Sequence, residues 1–295
     1  GKRTHCWLAH LVELCYTETC WKLPDEIEAR GSSKDIFFVS HHAEDHLESF
    51  LQWLNPEASS SVGDIRPDFE REQRKGTPEV IFGETKESGQ IVAMANALLA
   101  KTGRAIISRV RSETVGVLRE SFPAYDVRER GMSRMVSIYR PDYVHRSTGG
   151  QVGVISAGTS DIPVAEEAAL MAEEMGCEVT CIYDVGVAGL HRLVAPLREL
   201  ITRGTDAIIV AAGMDGALPS VVAGLVAVPV IGLPTSIGYG LGGKGVAALL
   251  AMLQTCAPGL AVVNIDNGVG AGITAAMIAN RVAEARARAG ERQSQ

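Results

Sequence analysis

The chain of 295 residues carries 28 Lys and Arg against 35 Asp and Glu, a formal net charge of -7, and 46% of its residues are hydrophobic. That length accommodates two domains with real cores, while the acidic balance lacks the clustered cations that grip a phosphate backbone, which argues against nucleic acid as a partner. The longest apolar candidate, Val221 to Leu233, is cut by Gly224, Pro229 and Gly232, short of the roughly 18 to 20 residues of a membrane-spanning helix.

Residues 1–60 read as a divergent extension. All three Trp (Trp7, Trp21, Trp53) and five of the seven His fall there, with only Gly1 and Gly31 of the 31 glycines. One amphipathic helix is expected over His42 to Leu54, where Leu47, Phe50, Leu51 and Leu54 share a face and Asn55-Pro56 supplies a stop. His5, Cys6, His10, Cys15 and Cys20 raise the question of zinc, but they form no tight C-x-x-C pair, and scattered structural residues are the favoured reading. The start at Gly1 instead of Met suggests a trimmed N-terminus and a missing targeting peptide. Six Cys are too few for a disulfide scaffold, so a reducing compartment, the cytosol or an organellar stroma or matrix, is expected.

Residues 61–147 suggest a small α/β domain. A charge-dense stretch from Asp64 to Lys86 precedes a helix over Gln90 to Leu99 and a β-rich run, Ala105 to Val110; Ser112-Glu113 opens a second helix and Met135 to Ile138 reads as a strand. The polar stretch His145 to Gly150 marks a linker.

In residues 148–295 the pattern is regular. Short apolar runs, Val152 to Ser156, Glu178 to Tyr183, Ala207 to Ala211, Val228 to Leu233 and Leu260 to Ile265, alternate with helix-length segments. Such runs predict a doubly wound parallel sheet joined by right-handed crossovers, whose ligands bind beyond the strands' carboxyl ends. The loops of interest are then Ala157 to Asp161, Asp184 to His191, Gly213 to Pro219, Thr235 to Lys244 and Asp266 to Gly272. Gly243 to Leu253 is apolar on more than one face, which predicts a homo-oligomer.

The first loop, Ala157-Gly158-Thr159-Ser160-Asp161, follows a strand and opens a helix. It suits a phosphate at the helix's positive end and equally a simple cap by Ser160 or Asp161. It is neither a P-loop nor a G-x-G-x-x-G turn.

Taken in order, GTSD (158–161), DVGVAGLHR (184–192), AAGMDGALPSVVAGL (211–225), PVIGLPTS (229–236), GGKG (242–245) and TCAPGLAVVNIDNGVGAG (255–272) resemble the signature run of the LarB family. The PurE carboxylases, with a Ser-x-Ser-Asp phosphate loop and a His-Arg pair, are similar at greater distance. The likeness is strongest after Gln151 and reaches back to Glu79 to Glu84. Two departures stand out. Asp215 occupies a position where the family usually has Glu, one methylene longer. Cys256-Ala257-Pro258 stands near the PurE Met-Pro pair, which moves the likeness toward LarB.

The resemblance implies a PurE-like three-layer fold, an octamer, and carboxylation of nicotinic acid adenine dinucleotide at pyridine C5 with cleavage of its phosphoanhydride. The products would be pyridinium-3,5-biscarboxylic acid mononucleotide and AMP. No tightly bound cofactor is expected; CO2 is the co-substrate, and Mg²⁺ is the ion that substrate phosphates would bring. A pyridinium ring cannot attack CO2 until a soft, displaceable nucleophile dearomatises it, a task for Cys256. Lys244 is the nearest cation in sequence to favour its thiolate, or else it meets substrate phosphate or carboxylate. Asp215 and His191 are candidates for moving the C5 proton, though a turn residue and an ordinary first-turn residue explain them as well. Gly158, Thr159, Ser160, Asp161, Asp184, Gly213, Met214, Ser236 and Lys244 are the expected substrate-binding positions, with Asp184 either a ribose ligand or a strand end. Two other functions compete. A PurE-like aminoimidazole ribonucleotide carboxylase or mutase would use His191 and not Cys256, and a non-catalytic nucleotide-binding protein would need neither.

Overall fold

Apolar runs that end in Gly- or Pro-bearing loops become central strands when both faces can be covered. The computed structural model describes residues 67–293; the helix expected over His42 to Leu54 and the early His and Cys group lie outside them. The first part holds α1 (Arg71–Lys75), β1 (Val80–Phe82), α2 (Ser88–Thr102), β2 (Arg104–Ser108), α3 (Ser112–Ser121), β3 (Asp126–Glu129) and β4 (Val136–Tyr139). Its sheet runs β1-β2-β4-β3, with β1 parallel to β2 and the other pairs antiparallel. One face carries α2 and α3 through Ile91, Leu98, Leu118 and Phe122.

The second part holds β5 (Gln151–Ser156), α4 (Ile162–Glu174), β6 (Glu178–Ile182), α5 (His191–Thr202), β7 (Ala207–Ala212), α6 (Ala217–Ala223), β8 (Val230–Pro234), α7 (Val246–Leu253), β9 (Leu260–Val262) and α8 (Gly268–Gln293). All its strands pair in parallel, in the order β6-β5-β7-β8-β9, the doubly wound arrangement in which the chain reverses direction beside β5. The period-two side-chain alternation of β7 divides the core. Ala207, Ile209 and Ala211 face α4 and α8, while Ile208, Val210 and Ala212 face α5, α6 and α7. This is an α/β fold of three layers. Alanines let α8 lie close on α4: Ala271, Ala275 and Ala279 meet Ala165, Ala168 and Ala172. A Cβ at Gly272 would stand 2.3 Å from the Ala168 carbonyl oxygen, so only glycine permits that approach.

Helix α4 is covered on both sides, because Leu170 and Met171 also meet Ile106 and Met135 of the smaller sheet. Its acidic residues are consequently drawn into the seam between the sheets. The Glu166 carboxylate accepts from the Met132 and Ser133 N–H groups, and Glu173 pairs with Arg130. Glu174 takes Arg104, the Ser137 hydroxyl and the Tyr139 hydroxyl. Burial and this neighbouring carboxylate push the Tyr139 phenol up.

Candidate active site

Four loops at the carboxyl edge of the large sheet share a backbone peculiarity. Asp184, Met214, Lys244 and Asp266 all have positive φ, between 52° and 60°, a conformation that costs a non-glycine residue about 1–2 kcal/mol. Each follows a strand or the loop after it, so the strain gathers at one edge. Clustered strain of this kind is a pointer to a binding or reaction site.

The loop after β5 exposes Thr159 and Ser160 to solvent beside a half-buried Gly158. Asp161 does something different: it is only 4% exposed. One carboxylate oxygen accepts from the Thr235 hydroxyl at 2.6 Å and the other from the Gly158 N–H at 2.9 Å, with the Gly213 N–H a further donor. Burial raises its pKa above the usual carboxylate value, and those three hydrogen bonds oppose the rise. Asp161 therefore ties three loops together from beneath.

Of the remaining carboxyl-edge positions, Gly213 is buried, Asp184 is half-buried and the others are exposed. Asp184 holds Arg192 at 2.8 Å, and its N–H donates to the Ser156 hydroxyl. His191, the first residue of α5, is exposed. Gly213 is buried against the next loop, where a Cβ would come 2.2 Å from the Ile237 carbonyl oxygen. Met214 donates its N–H to that oxygen, leaving Met214 and Asp215 exposed ahead of α6. The Ser236 N–H donates to the Asp266 carboxylate at 2.8 Å. Lys244 is exposed at the entrance to α7.

Cys256 is not among them. It follows α7 and precedes β9, which runs parallel to β8, so it sits at the amino edge. Five residues of β8 at roughly 3.3 Å each put about 15 Å of sheet between the two edges. Cys256 and Lys244 stand at opposite ends of α7 within one chain. They flank the eight residues of α7, about 12 Å of helix. Cys256 is nonetheless exposed, whereas Cys177 is buried and Cys181 partly so; burial pushes the Cys177 thiol up to about 11.

Sequence reading passed over Arg109, which directly follows β2 with φ 53°. Its guanidinium donates to the Asp266 carbonyl oxygen at 2.7 Å and meets Glu84. The smaller sheet thereby braces the loop that holds Ser236. Nothing in the pattern around Arg109 marked it; the Asp-Asn-Gly turn at 266–268 was the available signal for its partner. Among the described residues no group of three His, Cys, Asp or Glu could hold a metal. No helix among them is long and apolar enough to cross a membrane.

Residues 60–140 match the LarB/PurE-like N-terminal domain, and residues 151–294 match the AIR carboxylase family. An uncharacterized protein of Methanocaldococcus jannaschii is 43% identical over 218 residues, 73% of this chain and 84% of that protein. The chain belongs to the LarB family. Its second part also resembles the N5-carboxyaminoimidazole ribonucleotide mutase of Thermotoga maritima, 34% identical over 135 residues, 43% of this chain and 74% of that protein. The phosphoribosylaminoimidazole carboxylase of Candida glabrata is 36% identical over 130 residues, 42% of this chain but 21% of that protein. LarB membership accounts for both sheets, and it makes the chain an enzyme of the PurE-like carboxylase and mutase group.

Proposed function

We infer that this LarB-family chain carboxylates nicotinic acid adenine dinucleotide at pyridine C5 and that water then cleaves the phosphoanhydride of the carboxylated dinucleotide, giving AMP and the carboxylated mononucleotide. The observation that carries this reading is Cys256, a solvent-exposed thiol on a PurE-like fold. An aminoimidazole ring is already electron-rich at the carbon to be carboxylated, so that chemistry has no use for a thiol; a pyridinium ring does.

In this reading the Cys256 thiolate adds to C4, and the ring's electron pair moves onto nitrogen to give a dihydropyridine. Its C5, now an enamine carbon, bonds to the carbon of CO2. A base takes the C5 proton, with Asp215 the preferred candidate and His191 the second. The C4–S bond then breaks with its electrons returning to sulfur, and the ring is aromatic again. Thr159, Ser160 and the neighbouring backbone N–H groups receive a phosphate. Because thiol and carboxyl edge are at opposite ends of the sheet, the reaction needs a second copy to deliver Cys256. Exposed apolar side chains flank both places: Ile237, Tyr239 and Leu241 at the carboxyl edge, and Leu250 and Leu253 beside Cys256. Such patches favour association, and the PurE-like group suggests an octamer.

Incubation with the dinucleotide and bicarbonate, read by mass spectrometry, should yield the doubly carboxylated mononucleotide and AMP. Carboxylation of aminoimidazole ribonucleotide with no reaction on the dinucleotide would instead favour the purine-type chemistry of the mutase relatives, with His191 as the proton carrier.

A further inference from the structure

Of the acidic residues that α4 sends into the seam, one differs from the rest. Glu166, Glu173 and Glu174 are each paired with the smaller sheet. Glu167 is 8% exposed, and Arg109 acts on it as a nearby charge with no hydrogen bond between them. Glu167 is among the residues lining a cavity of about 260 Å³ between the two sheets. Burial pushes its carboxyl up to about 7, against the opposing pull of Arg109. Every side-chain oxygen that is itself buried among the described residues has a hydrogen-bond partner, so the Glu167 carboxylate, which has none, keeps its contact with solvent through an opening, where a ligand's donor would meet it.

The cavity's other walls describe what would satisfy it. Val269 and Ile273 of α8 and the ring of Phe82 give flat apolar surfaces, and the Arg109 guanidinium lies 5.5 Å from the centre of that ring. Asn267 accepts the Gly270 N–H with its side-chain oxygen, which leaves its amide nitrogen to donate. Drug-sized ligands occupy about 300–1,000 Å³, so this space suits one ring system and not a whole dinucleotide. A planar heteroaromatic ring fits if it has an exocyclic amino group to donate to Glu167 and an adjacent ring nitrogen to accept from Asn267. The mouth adjoins Asp266, whose carboxylate holds the Ser236 N–H, so a ring in the seam would point its phosphate toward the carboxyl edge.

We propose that the seam cavity is the seat of the aminopurine ring of an adenylate, held by Glu167, Asn267 and Phe82. This rests on the dinucleotide reading above and assigns its adenylate half to the smaller sheet's side of the molecule.

AMP titrated into the full chain by calorimetry is the probe, with Glu167→Ala and Phe82→Ala as variants and nicotinic acid mononucleotide as control. Both substitutions should weaken AMP at least tenfold and leave the control ligand unchanged. With the dinucleotide they should raise KM and spare kcat. Glu167→Ala should also raise Tm at pH 8, which a residue kept for stability would not do. Undetectable AMP binding by the wild type, or equal binding by all three proteins, overturns the assignment. The two readings fail separately. Product formation with variant KM unchanged sinks the seam site alone, whereas variant-sensitive AMP binding without any product from the wild type sinks the carboxylation reading alone.

Discussion

The two edges of the five-stranded sheet treat the left-handed conformation differently. At the amino edge it belongs to Gly149, Gly176, Gly204 and Gly259, just ahead of β5, β6, β7 and β9. Glycine there turns the chain at little steric cost. At the carboxyl edge Asp184, Met214, Lys244 and Asp266 adopt it as well, each against about 1–2 kcal/mol of strain. Gly216, Gly240 and Gly245 share the conformation at the carboxyl edge, so what separates the two edges is that only this one, among the described residues of the large sheet, also places side-chain-bearing residues in it. Cys256 breaks the division, as an exposed thiol at the glycine-turned edge.

The largest effect should come from that exception. Cys256→Ser is expected to lower carboxylation at least ~1,000-fold, since a serine hydroxyl is scarcely ionised at neutral pH and adds poorly to a soft carbon. AMP binding and Tm should be unchanged, because the side chain is exposed. Near wild-type turnover of the dinucleotide would remove the covalent step from the account.

Between the edges, the seam should show a pH signature. A carboxyl whose folded value is near 7, against about 4.3 unfolded, leaves stability intact below the unfolded value and erodes it as pH rises through the folded one. Glu167→Gln should therefore match the wild type near pH 4 and exceed it by up to ~3 kcal/mol at pH 8. Urea melts at the two pH values measure this; equal stabilities at pH 8 would mean the carboxyl finds a partner in solution.

Asp161→Ala tests whether the strained loops are tied from beneath. Removing both oxygens leaves the Thr235 hydroxyl and the Gly158 N–H unpaired, a loss of ~1–3 kcal/mol for buried groups. An unchanged denaturation midpoint would show that the loops hold each other without it.

Met214→Gly should have the smallest effect. It releases strain but adds chain entropy to the unfolded state, so stability should rise by no more than ~1 kcal/mol, while dinucleotide KM increases. A clear drop in Tm would show that the half-exposed side chain serves packing.

The five parallel strands were legible because each is a near-continuous apolar run bounded by turn residues. In the smaller sheet β1 and β3 were not. Val80–Phe82 is three residues inside a charged stretch, and Asp126–Glu129 is an exposed edge strand with no apolar run. Loop motifs placed Thr159, Ser160, Asp184, His191 and Asp215 along the carboxyl edge, where the structure has them. They could not show that Asp161 turns inward, since a cap, a phosphate ligand and a buried tie call for the same residue. Nor could they reveal Arg109 or the unpaired Glu167, which acquire meaning only when two sheets distant in sequence close on α4.

The central claim is that a second copy completes each site by bringing Cys256 to the carboxyl edge. Cys256→Ser and Asp215→Ala, each inactive alone, would be mixed in equal amounts under conditions that exchange subunits and assayed for the carboxylated mononucleotide. Random pairing of edges from different chains should restore roughly a quarter of wild-type activity. Verified mixed assemblies with no recovered activity would contradict the claim and require both residues to act from the same chain.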